Sequence, residues 1–197
     1  MGRALTRFQA GNQAGTTATA APGNAGDLPS VWCVMRRLSW GLFVSVLFSV
    51  FGCDHATKHL ARRELLPNGP KTLIPGWLDL RYTANTDTAF SLLGGWLGPE
   101  TRFAIILTTQ ALVTLGMIAV TLFRRRVSGH LERMASAVVL GGALGNLLDR
   151  LTSGHVVDFI HVSFWPVFNV ADIAICIGVG LLLIAARNRE FGMGAPR

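Results

Sequence analysis

The chain has 197 residues, half of them hydrophobic and only 15% charged, with a mean hydropathy of +0.42. Soluble domains carry about 25% charged residues, so an ordinary water-soluble enzyme is disfavoured from the outset. The net charge of +7 is uneven: residues up to Arg37, the Arg124–Arg133 turn and the end from Arg187 hold eleven Lys/Arg against three acids, and the remainder holds seven against eight.

That asymmetry is the positive-inside pattern of a membrane protein. No basic stripe interleaved with aromatics accompanies it, so nucleic acid is not an expected partner. Residues 1–35 read as a disordered cytoplasmic tail, because residues 1–30 are rich in Ala, Gly and Thr, contain Pro22 and Pro29, and lack apolar periodicity. They also lack the apolar core of a secretory signal.

A membrane domain over 36–190 follows. Arg36 and Arg37 precede Leu38–Cys53, a run whose polar members are Ser39, Ser45 and Ser49. Taken alone, RRLSWGLFVSVLFSVFGC resembles a bacterial lipoprotein signal ending at a modifiable Cys53. Phe51 stands where such signals prefer a small residue, and three more apolar spans follow. A first membrane helix over about 38–58 is the better reading. Asp54 and Lys58 lie four apart and can pair on one helix face. His55 and His59 share a zinc-like spacing, yet have no glutamate between them and no third ligand, so no metal is expected. Cys33, Cys53 and Cys176 are scattered and read as free thiols.

Residues 62–100 are polar and punctuated by Pro67, Pro70, Pro75, Gly94, Gly95 and Pro99. Thr72–Ile74 and Trp77–Thr83 alternate like short strands, predicting a small β-rich extracytoplasmic platform. Trp77, Tyr82 and Trp96 would sit at headgroup level, and Asn85–Phe90 reads as a turn. A second span over about 102–123 carries Thr and Gln residues able to bond within a bundle. Arg124-Arg125-Arg126 ends it, and Ser128-Gly129 turns the chain. The third span, about 133–151, holds Gly141 and Gly145 in a small-xxx-small pair that permits close helix contact. The fourth, about 169–187, stops at Arg187 and Arg189, leaving 191–197 as a second cytoplasmic tail. The predicted fold class is therefore membrane all-α with a small β platform: four transmembrane helices, both termini on the Arg-rich side.

The stretch from Gly141 to Asp172 concentrates the chemistry. Asn146, Asp149 and Arg150 occupy i, i+3 and i+4 and should face one way, whether as a helix-end charge pair or as part of a site. Asn169 and Asp172 repeat the i, i+3 spacing, and Asn169 suits a helix N-cap. Asp158 lies between Val156-Val157 and Phe159-Ile160, surroundings that raise a carboxyl pKa. If Asp158 and Asp172 meet, one keeps a proton at neutral pH, and the pair can activate a water as aspartic proteases do. Asp158 as a turn cap, or all three acids as a transport relay, are the competing readings. His155, Asp158 and His161 recur every third residue, but in an extended segment that spacing alternates faces, so metal ligation is not expected.

In Gly141–Arg150 (GGALGNLLDR), Val157-Asp158-Phe159 and Phe168–Asp172 (FNVAD), the chain resembles the lipoprotein signal peptidase (signal peptidase II) family of bacterial membrane aspartic proteases. The likeness covers about Leu38 to Arg187. It implies a four-helix membrane fold with an extracytoplasmic β-cradle, in the bacterial inner membrane. It also implies an endopeptidase that cuts diacylglyceryl-modified prolipoproteins just before the lipidated cysteine. By motif, Asp158 and Asp172 match the catalytic pair, and Asn146, Asp149, Arg150 and Asn169 match supporting positions. Asp54 and Lys58 match the motif ending the first helix, and Asn85, Ala89 and Phe90 match the cradle motif. His55 departs from the family's usual Gln, and Asp87 and Thr88 depart from its usual Gly and Ala. The implied partners are lipidated prolipoproteins and membrane lipid, with a monomeric enzyme and no metal or organic cofactor. The rival from another class is a small proton-coupled transporter or channel using the same acids. All three lie on one membrane side at helix ends, whereas transport acids usually sit near the midplane.

Overall fold

Helix α1 runs from Val31 to Asn68, beginning inside the expected tail and continuing well past the expected end near Lys58. Its persistence has a simple cause. Phe43, Asp54, Lys58, Ala61 and Leu65 are all buried, and their spacing follows one face of a helix. Ala61 and Leu65 thus carry the buried stripe beyond the membrane-like segment, where they pack with Phe159 beneath the sheet. Gly69 then takes φ +77°, its N–H donating to Leu65 O at 3.0 Å, and Pro70 prevents continuation. The β-rich region therefore starts after this helix and not at residue 62.

This computed structural model describes residues 31–86, 98–124 and 129–193, with side chains over 38–86, 98–124 and 129–190. The tail over 1–30, the side chains of Cys33, Arg36 and Arg37, the Asp87–Phe90 part of the cradle motif, Trp96, the Arg125–Ser128 turn and residues 194–197 lie outside the described residues.

After α1 come β1 (Lys71–Ile74), β2 (Leu78–Asn85), α2 (Pro99–Phe123), α3 (His130–Ser153), β3 (Val156–Val162) and α4 (Val170–Met193). Among the described residues, three helical segments are long and apolar enough to cross a membrane: Leu38–Asn68, Pro99–Phe123 and Val170–Glu190. Their outward faces carry exposed Leu42, Phe48, Leu112, Leu115, Ile177 and Leu183, a surface that suits acyl chains better than water. The α3 helix, with Glu132, Arg133, Asp149 and Arg150, is not among these three. It is the packing hub instead: α1, α2 and α4 all lean on it, and among the described residues α2 packs mainly there. Gly141 and Gly142 allow this, since a Cβ would lie 2.8 Å from Leu47 O and 2.6 Å from Ala171 O respectively.

The strands form one antiparallel sheet in the order β1-β2-β3. Leu80 pairs with Ile160, but Thr83 pairs with Asp158, so β2 holds one surplus residue there. Because side chains alternate along a strand, such a bulge switches which face every later residue presents. Asn85 consequently shares a face with Asp158 as its diagonal cross-strand neighbour. Beyond β3 the chain folds straight back: Ile160 N–H donates to Phe168 O, and Phe168 N–H to Ile160 O, both at 2.9 Å. That short closure sets Asn169 beside Asp158.

Candidate active site

Among the described residues, six polar side chains are almost wholly buried at one end of the bundle: Asp54, Lys58, Asn146, Asp149, Asp158 and Asn169. Buried charge persists only where it is paired and hydrogen-bonded, and Lys58 is the centre of the pairing here. Lys58 Nζ meets three acceptors: Asp54 Oδ2 at 2.7 Å, Asn146 Oδ1 at 2.8 Å and Asp149 Oδ2 at 3.0 Å. An ammonium has three N–H donors, so this geometry saturates it. Asp54 Oδ1 in turn accepts the Ala171 N–H at 2.9 Å, tying α1 to the first turn of α4. Asp149 Oδ2 also accepts the Val157 N–H at 3.3 Å. Gly154 (φ +73°) turns the chain from α3 into β3 just before that contact.

The absence of a side chain at residue 145 makes room for Asp54. A Cβ there would lie well inside van der Waals contact of Asp54 Oδ2. Gly145→Ala is expected to destabilise the protein by about 1–3 kcal/mol through this overpacking. The check is a lowered thermal midpoint in detergent, which Gly180→Ala, at an open position, does not share.

At the start of α4, Asn169 and Asp172 form a reciprocal cap. Asp172 N–H donates to Asn169 Oδ1 at 3.0 Å, and Asn169 N–H donates to Asp172 Oδ2 at 3.2 Å, the geometry of a capping box. Asn169 Nδ2 then reaches outward to Asp158 Oδ1 at 2.6 Å and Asn146 Oδ1 at 3.1 Å. Asn146 Nδ2 closes the circuit on Asp172 Oδ1 at 2.9 Å. Across the sheet, Asn85 Nδ2 donates to Asp158 Oδ2 at 2.7 Å. Amide side chains, with a donor and an acceptor each, thus hold Asp158 and Asp172 in one network. Burial pushes the Asp158 carboxyl up to about 6, the nearby Asp172 charge adding to the rise while hydrogen bonds from Asn85 and Asn169 oppose it.

All nine residues singled out in the sequence converge here, though not in one way. Asn85 comes from the end of a strand and not from a turn. Arg150 is within electrostatic reach of Asp149, Asp158 and Asp172, but its Nη1 donates to Gln110 Oε1 on α2 at 2.6 Å. Gln110 was missed as a site residue. Its signal was present, since an amide inside an apolar span is costly without a partner. The histidines serve local contacts: Tyr82 Oη lies 3.3 Å from His155 Nε2, and His161 faces Asp79 at 3.5 Å. Among the described residues, no three His, Cys, Asp or Glu side chains gather as a metal site.

Known proteins share this architecture. The signal peptidase (SPase) II family model matches residues 46–187. A lipoprotein signal peptidase of Geobacter sulfurreducens is 37% identical over 156 residues, covering 77% of this chain and 95% of its own. One from Syntrophotalea carbinolica is 39% identical over 158 residues, covering 77% and 94%. One from Chlorobium phaeobacteroides strain BS1 is 40% identical over 156 residues, covering 73% and 94%. Among solved structures, a bacterial membrane enzyme determined in meso at 2.3 Å superposes with a TM-score of 0.65 at 24% identity, covering 80% of this chain and 93% of that one. A second, at 1.9 Å, gives 0.60 at 27% identity, covering 74% and 92%.

Proposed function

The chain belongs to the signal peptidase II family and removes signal peptides from bacterial prolipoproteins, and from that premise we propose that it is an aspartic endopeptidase whose catalytic pair is Asp158 and Asp172. One observation carries the assignment. Asn169 bonds Asp158 with its amide nitrogen while its backbone N–H and amide oxygen hold Asp172, so both carboxyls are oriented by a single residue. The relatives lend no support to a transporter.

The charge balance supports a shared proton. Four carboxylates (Asp54, Asp149, Asp158 and Asp172) are served by two cations, Lys58 and Arg150. Adding a proton to the facing pair lowers the repulsion, and burial favours the protonated form of Asp158. Asp172 sits in the first turn of α4, where the helix N-terminus favours a carboxylate. Asp172 then takes a proton from the attacking water while Asp158 donates a hydrogen bond to the scissile carbonyl oxygen. The hydroxide equivalent adds to the carbonyl carbon, the C–N bond breaks, and the departing amine takes up the proton.

Four crossings, with α3 as the additional one, place both termini on the cytoplasmic side and the pair near the outer interface under the sheet. A diacylglyceryl-modified precursor then enters sideways from the lipid, its chains contributing affinity by apolar burial, and is cut before its lipidated cysteine. Asp54, Lys58, Asn85, Asn146, Asp149, Arg150 and Asn169 support the pair, and the enzyme acts as a monomer without metal or organic cofactor. Incubating the purified protein with one lipidated precursor and its unlipidated form tests this. Cleavage restricted to the lipidated form is expected; equal cleavage of both removes the lipid-directed reading.

The pH profile is a second check. The singly protonated pair is lost as pH rises through the Asp158 value of about 6, so kcat/KM should fall on the alkaline side with an apparent pKa near that value. Bound substrate excludes water and raises it further, so the alkaline limb of kcat should lie higher. A kcat/KM that instead climbs through pH 6 to 8 contradicts Asp158 as the proton holder.

A further inference from the structure

An amide inside an apolar helix is a burden unless both of its ends find partners, and Gln110 of α2 has both. Its Nε2 donates to Ala143 O at 3.2 Å, and its Oε1 accepts from Arg150 Nη1 at 2.6 Å. Both partners belong to α3. Long helical side chains lean back toward the preceding turn, so the Arg150 head comes within reach of the amide that touches Ala143. The two bonds fix which way round that amide stands, since reversed it would set NH₂ against guanidinium, donor against donor. The Gln110 carbonyl in turn accepts the hydroxyl of buried Thr114 at 2.8 Å, which steadies this turn of α2. Among the described residues no carboxylate is in ion-pair contact with Arg150, although Asp149, Asp158 and Asp172 all act on it electrostatically. A half-buried arginine ordinarily takes a carboxylate, whose two oxygens match its planar fork better than a neutral amide does. Here the amide holds it instead.

We propose that Gln110 is a positioning residue for the cleavage: it holds the Arg150 guanidinium at a distance from Asp158 and Asp172, where its charge offsets theirs without locking onto either. This role rests on Asp158 and Asp172 being the catalytic pair. The other charges around that pair are Asp54 and Lys58 from α1 and Asp149 and Arg150 from α3, while β2 and α2 contribute the neutral Asn85 and Gln110. His155 and His161 of β3 contact Tyr82 and Asp79 instead. Lys58 is saturated by its three acceptors, so Arg150 is the cation with freedom to move. In contact with either carboxyl of the pair it would favour the doubly ionised state, and no acid would remain to polarise the scissile carbonyl. Withdrawn altogether, it would leave four carboxylates to Lys58. The pair would then take up a second proton, and no base would remain for the water. Gln110 keeps the arginine between these extremes, because a neutral acceptor competes for it without adding charge.

The test reads kcat/KM against pH on a lipidated precursor, with the full chain purified in detergent. Gln110→Met keeps the length of the side chain and removes the acceptor. Arg150 then closes on a carboxylate, and the alkaline limb should move about one pH unit toward acid. Gln110→Glu keeps the acceptor and adds a negative charge beside Arg150. The pair then binds its proton more tightly, and the limb should move about one pH unit toward alkali. Opposite shifts from two substitutions at one position are a signature that lost packing does not produce. Thermal midpoints are measured alongside, and both shifts appearing with a lowered midpoint still support the role. Gln110→Leu, apolar and suited to a membrane helix, is read in the same way if the methionine variant does not fold. Limbs that stay at the wild-type position overturn the proposal, as do limbs that move in the same direction. Asp158→Asn and Asp172→Asn are assayed in the same series. Undiminished cleavage there removes the pair itself, whereas missing shifts with both asparagine variants inactive remove Gln110 alone. A wild-type profile without an alkaline limb overturns both.

Discussion

Asp158→Asn and Asp172→Asn should each reduce processing of a lipidated precursor by about 10²–10⁴-fold, the usual contribution of a positioned acid or base, while the protein stays folded in the membrane. The second half of that expectation separates a catalytic loss from a structural one. Asp158 is 3% exposed, and its folded pKa is raised. Its stabilising contribution is therefore fully present below the unfolded value near 3.8 and is lost as pH rises through about 6. At neutral pH its buried charge is a burden that asparagine removes. Opposing this, the new NH₂ meets either Asn85 or Asn169, both of which donate to Asp158, and loses one hydrogen bond worth about 1 kcal/mol. The two effects oppose each other, so the thermal midpoint should move little. Undiminished cleavage by either variant, measured on the purified protein, removes that residue from the proposed pair.

Lys58→Met should be the most damaging single change to stability, by about 3–5 kcal/mol, because it leaves buried carboxylates without their cation. Asp54 and Asp149 have side chains only 1% and 9% exposed, so water cannot replace the ammonium. Lys58→Arg should rescue poorly, since three acceptors converge on one nitrogen and a planar fork does not match them. The discriminating measurement is a double-mutant cycle by thermal unfolding in detergent. Lys58→Met combined with Asp149→Asn should cost less than the sum of the separate changes. Strict additivity would mean that Lys58 does not compensate Asp149.

Much of this site was legible in the sequence because its logic is local. The i, i+4 spacing of Asp54 and Lys58 anticipates their ion pair, and the i, i+3 spacing of Asn169 and Asp172 anticipates the cap. A carboxylate among valines at Asp158 announces a raised pKa. What escaped notice depends on partners distant in sequence. Asn85 looked like a turn residue, since nothing near it signals the surplus residue in β2 that aims it at Asp158. Gln110 looked like one polar residue among several in its span, because its partner Arg150 is forty positions away. The true end of α1 was obscured too. Arg62, Arg63 and Glu64 make the segment look like a loop, although Ala61 and Leu65 continue the buried face.

The surplus residue in β2 is slack that this edge can lose without losing its alignment. Removing one residue between Leu80 and Thr83 would draw the bulge out and let the strand run regularly from the Leu80–Ile160 pair to the Thr83–Asp158 pair, leaving Asn85 on the side of its carboxylate. Removing a second would leave β2 one residue short and turn Asn85 to the opposite face. Natural or engineered shortening along this edge should therefore stop at one residue.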